Sequence, residues 1–300
     1  MDLCVQTLSS FDRLGEEKSI RLFKEIGFDC MDYSMFQPIA GEFMNHDDTM
    51  FAYYRDLRSM VDDIGMPIHQ MHAPFISSAT LRGKLEGCDE LVPYIIKSIK
   101  VAGILGAKHI VVHGKEPVEG LCKCTQAEAF KMLIDYYKQL IPVAQENDVI
   151  IAVENLFGRN LQTNARISSF LTTAENMNSV INALNDIAGE RRFAACLDLG
   201  HAGLFNNCAA DMVHQLGDNL ACLHVQDNDF LSDRHIMPYL GKTDIEGACR
   251  ALRETNYQGD FTFECEFTVE PFPLPLLPDI LRLLERVGRH LIDIIEGRQP

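Results

Sequence analysis

Residues 193–201 read FAACLDLGH, an apolar run that ends abruptly in polar residues. The run Phe193–Leu197 has the length and composition of a buried strand. Asp198 then stands at the strand end, and His201 follows three residues later on the segment that opens the next helix. Gly200 between them permits a tight turn. This order of strand, polar turn and helix is typical of one repeating unit of an α/β protein.

Seven other short apolar runs of this kind occur along the chain, and each is followed by a stretch with the periodicity of an amphipathic helix. The predicted strands are Leu3–Leu8, Cys30–Tyr33, Pro67–His72, His109–His113, Val149–Glu154, Phe193–Asp198, Leu220–Val225 and Phe261–Glu264. The predicted helices lie near residues 16–26, 48–64, 86–105, 125–146, 172–188, 208–216, 244–254 and 277–295. Gly27, Gly65 and Gly106 stand where helix C-caps are expected.

The polar residues at the predicted strand ends recur at intervals of 40, 41, 41, 44, 26 and 40 residues: Asp32, His72, His113, Glu154, Asp198, His224 and Glu264. Most intervals hold one strand, one helix and two loops. Eight such pairs predict the α/β class and a (β/α)8 TIM barrel. Because no Pro- or Ser-rich linker interrupts the series, we expect one domain over residues 1–300. A doubly wound open sheet stays an alternative, although no G-x-G-x-x-G motif follows the first strand.

The composition argues against several classes of protein. Lys and Arg total 27 against 43 Asp and Glu, and the net charge of −16 disfavours binding to nucleic acid or to an anionic membrane. The N-terminal residues MDLCVQTLSSFD lack the basic start and apolar stretch of a signal peptide, so we expect a cytoplasmic protein. The sequence leaves open whether the chain forms a homo-oligomer. The ten cysteines include no CxxC motif and are expected to be buried free thiols.

Six predicted strand ends carry a side chain that can bind a divalent cation: His72, His113, Glu154, Asp198, His224 and Glu264. In a barrel, the C-terminal ends of the strands surround one bowl, where the active sites of this fold lie. Carboxylates buried together repel one another unless a cation or nearby bases compensate their charge. The pattern therefore predicts a metal site at this face.

For some of these residues, a role other than binding a metal ion is also open. Asp198 could instead cap the N-terminus of the following helix. In the last strand, alternation places Glu264 and Glu266 on one face, and we favour Glu264 as the ligand because it follows the strand start at the distance seen for the other ligands. Three aromatic residues beyond strand ends are candidates for an apolar wall against a sugar or for packing under loops: Phe36, Phe75 and Phe157.

Six segments, in this order, resemble the xylose isomerase-like barrel superfamily. They are VVHGK (111–115), AVENL (152–156), LDLGHA (197–202), LHVQDND (223–229), DRHIMPYLG (233–241) and YQGDFTFE (257–264). The resemblance spans roughly residues 67–264. That superfamily includes sugar isomerases, ketose 3-epimerases, inosose-processing enzymes and apurinic-site endonucleases.

The resemblance implies one divalent ion, Mn²⁺, Zn²⁺, Co²⁺ or Mg²⁺, with four protein ligands: Glu154, Asp198, His224 and Glu264. It implies a sugar or polyol isomerase or epimerase, in which Glu154 and Glu264 also form the catalytic pair. One glutamate removes a proton next to a carbonyl and the other returns it, through a metal-stabilised enediolate. The substrate is a small sugar or polyol, and the residues expected to contact it are His72, His113, His201, Arg234 and His235.

Three other functions stay open. One is a three-zinc apurinic-site endonuclease, because such enzymes carry their remaining ligands at the positions of His72, His113, His201, Asp233 and His235. The net charge argues against this phosphodiesterase. The same enediolate chemistry would serve a dehydratase or lyase acting on an inosose or keto-sugar. A barrel that only binds a sugar or a partner protein ranks lowest, because both Glu154 and Glu264 are present.

Overall fold

The structure is a computed structural model that describes residues 1–35, 46–75, 86–115, 124–160, 163 and 165–298. Its strands are β1 (Leu3–Gln6), β2 (Cys30–Ser34), β3 (Ile68–His72), β4 (His109–Val112), β5 (Ile150–Glu154), β6 (Phe157–Arg159), β7 (Arg166–Ser168), β8 (Phe193–Asp198), β9 (Leu220–His224) and β10 (Phe261–Phe263). Strands β6 and β7 form a separate antiparallel hairpin. The other eight strands form one parallel sheet in the order β10, β1, β2, β3, β4, β5, β8, β9.

Backbone hydrogen bonds just beyond β9 close this sheet into a barrel. The amide of Val225 donates to the carbonyl of Thr262 over 2.8 Å, and the amide of Glu264 donates to the carbonyl of Val225 over 3.1 Å. These contacts bring β9 beside β10, so the two ends of the strand order meet. The predicted (β/α)8 TIM barrel is confirmed, and the open doubly wound sheet is wrong.

Helices connect the strands and cover the outside of the barrel. They are α1 (Leu8–Leu14), α2 (Glu16–Ile26), α3 (Asp47–Ile64), α4 (Glu86–Leu105), α5 (Gln126–Tyr137), α6 (Ile141–Glu146), α7 (Ala174–Ala188), α8 (Leu199–Leu204), α9 (Ala209–Leu216), α10 (Ile245–Glu254), α11 (Glu266–Val269) and α12 (Leu277–Ile295). In α12 the buried residues Leu277, Leu281, Leu284 and Leu291 recur at helical spacing and form one apolar face.

The structure differs locally from the predicted elements. Leu8, predicted to end the first strand, begins α1 instead. The helix predicted over 125–146 is two helices, α5 and α6, separated by a 3-10 turn at Lys138–Leu140. Pro142 lies in the first turn of α6, where its missing amide hydrogen costs the helix no hydrogen bond. The β6–β7 hairpin was not predicted, because its strands of three residues are too short to show a pattern.

Small side chains fill the middle of the barrel, whereas the large apolar residues pack between the sheet and the helices. The inner cluster consists of Val111, Ala152, Cys196 and Cys222. Polar side chains lie above it, at the C-terminal ends of the strands. Within the described parts of the chain, no helix is both long and apolar enough to cross a membrane.

Candidate metal centre

Four buried side chains converge at the C-terminal end of the barrel. We call them the central group: Glu154, Asp198, His224 and Glu264. The first three end β5, β8 and β9, and Glu264 follows β10 directly. None of the four is more than 3 % exposed, and one ligand atom from each lies within 4.8 Å of the others. The Nδ1 atom of His224 lies 3.1 Å from Oε1 of Glu154 and 3.2 Å from Oε2 of Glu264.

Two smaller groups of potential ligands flank the central group. The first flanking group is His72, His113 and Glu154, and the second is His201, Asp233 and His235. In the first, Nε2 of His113 lies 2.9 Å from Oε2 of Glu154. In the second, Oδ2 of Asp233 lies 3.2 Å from Nε2 of His201 and 3.1 Å from Nε2 of His235. The structure therefore brings together every candidate ligand named from the sequence.

Backbone carbonyls fix the orientation of two of these imidazoles. Nδ1 of His72 lies 2.8 Å from the carbonyl oxygen of Ala73, and Nδ1 of His201 lies 2.9 Å from that of Asn155. Since a carbonyl can only accept, each Nδ1 donates a hydrogen bond and each Nε2 faces the flanking group. Metal-binding histidines commonly have their other nitrogen held in this way.

Asp198 has both roles that its position suggests. Its Oδ1 accepts from the amide of His201 over 2.7 Å, so it caps α8. Its backbone is held by Asn155, whose side-chain nitrogen donates to the carbonyl of Asp198 over 2.9 Å and whose side-chain oxygen accepts from the amide of Asp198 over 2.6 Å. The cap therefore positions the carboxylate that belongs to the central group.

Asp32, on β2, supports the central group and was not predicted to belong to the site. Its Oδ2 lies 3.5 Å from Nε2 of His224, on the ring edge opposite the other ligands. The side chain of Gln70 donates to this same oxygen over 3.1 Å. A carboxylate behind a ligating imidazole orients the ring and raises its basicity. The sequence showed Asp32 only as one more polar strand end.

The shifted pKa values in the central group indicate that a bound cation would stabilise its buried carboxylates. Burial raises the pKa of Asp198 and of Glu264. Burial also raises the pKa of Glu154, but the charge of His224 and hydrogen bonds from imidazoles outweigh it and hold that pKa well below its usual range. Burial opposes a charge on His224, yet nearby Cys196 and Glu264 raise its pKa well above the usual value. A divalent cation would compensate these carboxylates more fully than bound protons do.

The donor set fits a divalent cation. Among the described residues, several buried atoms of the site make no hydrogen bond, a costly arrangement unless another partner takes its place. One of them, Oε2 of Glu154, faces the candidate ligands, whereas Nε2 of His224 points toward Asp32 and Nδ1 of His235 toward Glu266. The central group offers three carboxylates and one imidazole, and each flanking group adds two imidazoles. Such ligands suit Zn²⁺, Mn²⁺ or Co²⁺.

Comparison with known proteins assigns the chain to a family. The sequence profile of xylose isomerase-like TIM barrels matches residues 20–286. The chain belongs to this family. An uncharacterized protein, y4fM, from Sinorhizobium fredii (strain NBRC 101917 / NGR234) is 23 % identical over 271 residues, which is 83 % of this chain and 81 % of that protein.

Two solved structures share the fold of this xylose isomerase-like barrel. A D-tagatose 3-epimerase-like protein superposes with a TM-score of 0.73 at 17 % identity and covers 99 % of both chains. The IolI protein, solved with a bound zinc atom, superposes with a TM-score of 0.71 at 16 % identity, covering 100 % of this chain and 99 % of that one. At these identities the similarity establishes the fold.

Glu266 lies in a helix of this xylose isomerase-like barrel, not on the last strand. Strand β10 ends at Phe263, and Glu266 begins α11, so the alternation that paired it with Glu264 is wrong. Both carboxylates nevertheless approach the same imidazole, because Nδ1 of His235 lies 3.5 Å from Oε2 of Glu264 and 3.1 Å from Oε1 of Glu266. Only Glu264 belongs to the central group.

Arg234 lies beside the second flanking group. Its side chain is half exposed, and its guanidinium is 3.3 Å from Oδ2 of Asp229. A contact between Arg234 and the substrate stays a prediction.

Aromatic rings surround the imidazoles at the mouth of the site. Phe75 is 4.5 Å from His113, and Phe157 is 5.2 Å from His201, measured between ring centres. The apolar wall stays a prediction for both residues, beside the alternative of packing under loops. Phe36, the third candidate, lies outside the described residues.

Gly200 serves as a place of close approach rather than as a turn. It lies in the first turn of α8, and a Cβ atom added there would come within 2.3 to 2.5 Å of the side-chain amide of Gln226. That amide donates to Oδ1 of Asp198 over 3.2 Å and to Oδ1 of Asp233 over 2.9 Å. Gly200 therefore makes room for a residue that links the central group to the second flanking group.

Gly200→Ala is expected to lower kcat/KM by about 10-fold or more, because displacing Gln226 removes two charge-assisted hydrogen bonds, each of about 1.5–3 kcal/mol. Gly189→Ala, at the left-handed C-cap of α7 (φ +72) with nothing within 4 Å of an added Cβ, is the control, because it costs some stability through backbone strain but displaces no side chain. Steady-state kinetics of both variants test this. Equal activity of the two would show that the Gln226 contacts do not matter.

Proposed function

We propose that this protein is a metal-dependent sugar or polyol isomerase or epimerase. The observation that carries the proposal is the central group, in which four buried side chains at separate strand ends each place a ligand atom within 4.8 Å of the others. A divalent ion held there supplies Lewis acidity toward the carbonyl and hydroxyl oxygens of a sugar, which acidifies the C–H bond next to the carbonyl. The folds of the D-tagatose 3-epimerase-like protein and of zinc-bound IolI agree with this class of reaction.

Glu154 and Glu264 are the proposed acid and base. Both carboxylates lie within 3.2 Å of Nδ1 of His224, so they border the same small volume from β5 and from the end of β10. A proton taken from carbon by one glutamate can be returned by the other. Return to the opposite face of the same carbon gives epimerisation, and return to the neighbouring carbon gives aldose–ketose isomerisation.

The surroundings of the central group suit a small hydroxylated substrate. The imidazoles of His113 and His201 offer hydrogen bonds beside it, and Phe75 and Phe157 present apolar ring surfaces next to these imidazoles. Sugars combine polar hydroxyl edges with apolar carbon faces, so they match such a mixed lining. We propose that His72, His113, His201 and His235 contact the substrate.

Incorporation of solvent deuterium tests this function without requiring that the natural substrate be known. The protein is incubated with Mn²⁺ in D₂O and a panel of ketoses, inososes and 3-keto-glycosides, and deuterium at carbon is measured by mass spectrometry and NMR. At least one substrate is expected to exchange a single carbon-bound hydrogen. Absence of exchange across the whole panel, with metal bound, would contradict the proposed proton abstraction.

A three-metal phosphodiesterase is the second candidate, favoured by the two flanking groups. Together with the central group they offer nine ligands for up to three ions. The net charge of −16 opposes binding to DNA. Hydrolysis of a duplex that contains one abasic site, measured with Zn²⁺ present, decides between the two. Cleavage without deuterium exchange on any sugar would favour the phosphodiesterase.

A further inference from the structure

A second cluster of metal-binding side chains lies at the opposite end of the barrel. We call it the floor cluster: Cys4, Cys30, His69 and Asp260. These residues lie at or near the N-terminal ends of β1, β2, β3 and β10, which are neighbours in the sheet. Along β3, His69 and His72 are three residues apart, a distance of roughly 10 Å in a strand. The floor cluster is therefore separate from the central group.

The side chains of the floor cluster contact one another. One potential ligand atom from each of Cys30, His69 and Asp260 lies within 4.8 Å of the others. Nδ1 of His69 is 2.9 Å from Oδ2 of Asp260, and the thiol of Cys30 interacts with both His69 and Cys4. Cys4 and Cys30 are direct partners in the register of β1 and β2. The register therefore fixes the two thiols side by side.

The cluster has the donors and the access that a small cation needs. Cys4 and Cys30 are fully buried, whereas the side chains of His69 and Asp260 are 35 % and 27 % exposed. An ion could thus enter from the N-terminal mouth of the barrel and bind the thiolate of Cys30 beneath His69 and Asp260. Thiolate, imidazole and carboxylate are all ligands of Zn²⁺, and these three residues supply three of the four positions of a tetrahedral site.

We propose that the floor cluster is a structural zinc site, with Cys30, His69 and Asp260 as ligands and with Cys4 packed beside Cys30. The site links β2 and β3 to β10, which lies on the other side of β1. It differs from the central group in ligand type. Thiolates favour Zn²⁺ and Co²⁺, whereas the carboxylate-rich central group also accepts Mn²⁺ and Mg²⁺.

Cobalt alone is the probe for this site, since Co²⁺ bound to a thiolate gives a charge-transfer absorption band that Co²⁺ bound to oxygen and nitrogen does not. Titration of the metal-stripped, full-length protein is expected to produce this band, with a final intensity that corresponds to one Co²⁺–thiolate site per chain, while the central group takes up Co²⁺ without contributing to it. Cys30→Ser is expected to abolish it. Cys249→Ser, which removes a buried thiol on α10, is the matched control and is expected to retain the full band. His224→Ala, which disrupts the central group, is also expected to retain it.

Two further variants keep the test decisive if Cys30→Ser does not fold. His69→Ala and Asp260→Asn change partly exposed residues, and each is expected to weaken Co²⁺ binding in the thiolate band by 10-fold or more. A wild-type protein that binds Co²⁺ without the band would overturn the floor site, as would a band that persists in Cys30→Ser or disappears in His224→Ala. None of these results depends on catalysis, so failure of the floor site and failure of the proposed function are distinguishable.

Discussion

Glu154→Gln is expected to reduce kcat by about 10³-fold or more, the largest effect of any single substitution that we expect. Glutamine has nearly the same shape but cannot accept the substrate proton, and general acid–base catalysis alone contributes about 10²–10⁴-fold. The change also removes a charged ligand that the central group shares with the first flanking group. Deuterium exchange on the substrate identified for the wild type measures the loss.

The fold is expected to survive this substitution. His224 and His113 hold the pKa of Glu154 well below its usual range, so replacing the carboxylate removes favourable contacts from the metal-free protein. Because glutamine keeps the shape of the side chain and one acceptor oxygen, the metal-free variant should still unfold cooperatively, at a melting temperature a few degrees below that of the metal-free wild type. Glu270→Gln, an exposed position that follows α11, is the matched control and should keep full activity. Substantial turnover by Glu154→Gln would exclude Glu154 as acid or base.

Removal of metal ions is expected to abolish activity, and addition of Mn²⁺ is expected to restore it. An ion held by the central group would acidify the C–H bond next to the substrate carbonyl. Binding to the native state alone stabilises it by about 2.7 kcal/mol when the ion is present at 100 times its Kd. The melting temperature should therefore rise with added Mn²⁺. Activity and thermal unfolding after treatment with a chelator measure both effects.

Metal binding should also release protons. Cys196 and Glu264 raise the pKa of His224 against the effect of burial, and burial raises the pKa of Glu264, so a cation competes with protons more strongly at these two ligands than at ligands with ordinary pKa values. Affinity for Mn²⁺ should consequently fall as the pH is lowered. His224→Ala is the control, and its melting temperature should not respond to Mn²⁺. Full activity after thorough chelation would rule out a metal-dependent reaction.

Much of the central group could be predicted because of one geometric rule. In a parallel barrel, residues that end different strands meet at one face, so Glu154, Asp198 and His224 are neighbours although tens of residues separate them. Spacing along the chain was enough to find them. Glu264 was preferred to Glu266 for the same reason, its distance from the strand start, whereas the alternation that placed both glutamates on one face fails where β10 ends.

Other features depend on contacts that leave no local pattern. Asp32 supports His224 from behind, and Gln226 fits against Gly200 only because two elements approach closely in space. The floor cluster was missed for a similar reason. Cys30 and His69 lie at the beginnings of strands, where a polar residue is not conspicuous, and the cysteines had been expected to be simple buried thiols. Register between strands, not spacing along them, brings these side chains together.

Anomalous diffraction from crystals soaked in Mn²⁺ tests the central claim most directly. The claim is that Glu154, Asp198, His224 and Glu264 share one divalent ion. We expect an anomalous peak at bonding distance from all four residues, and its loss in crystals of His224→Ala. A peak elsewhere, with these four side chains bonded only to one another, would contradict the claim.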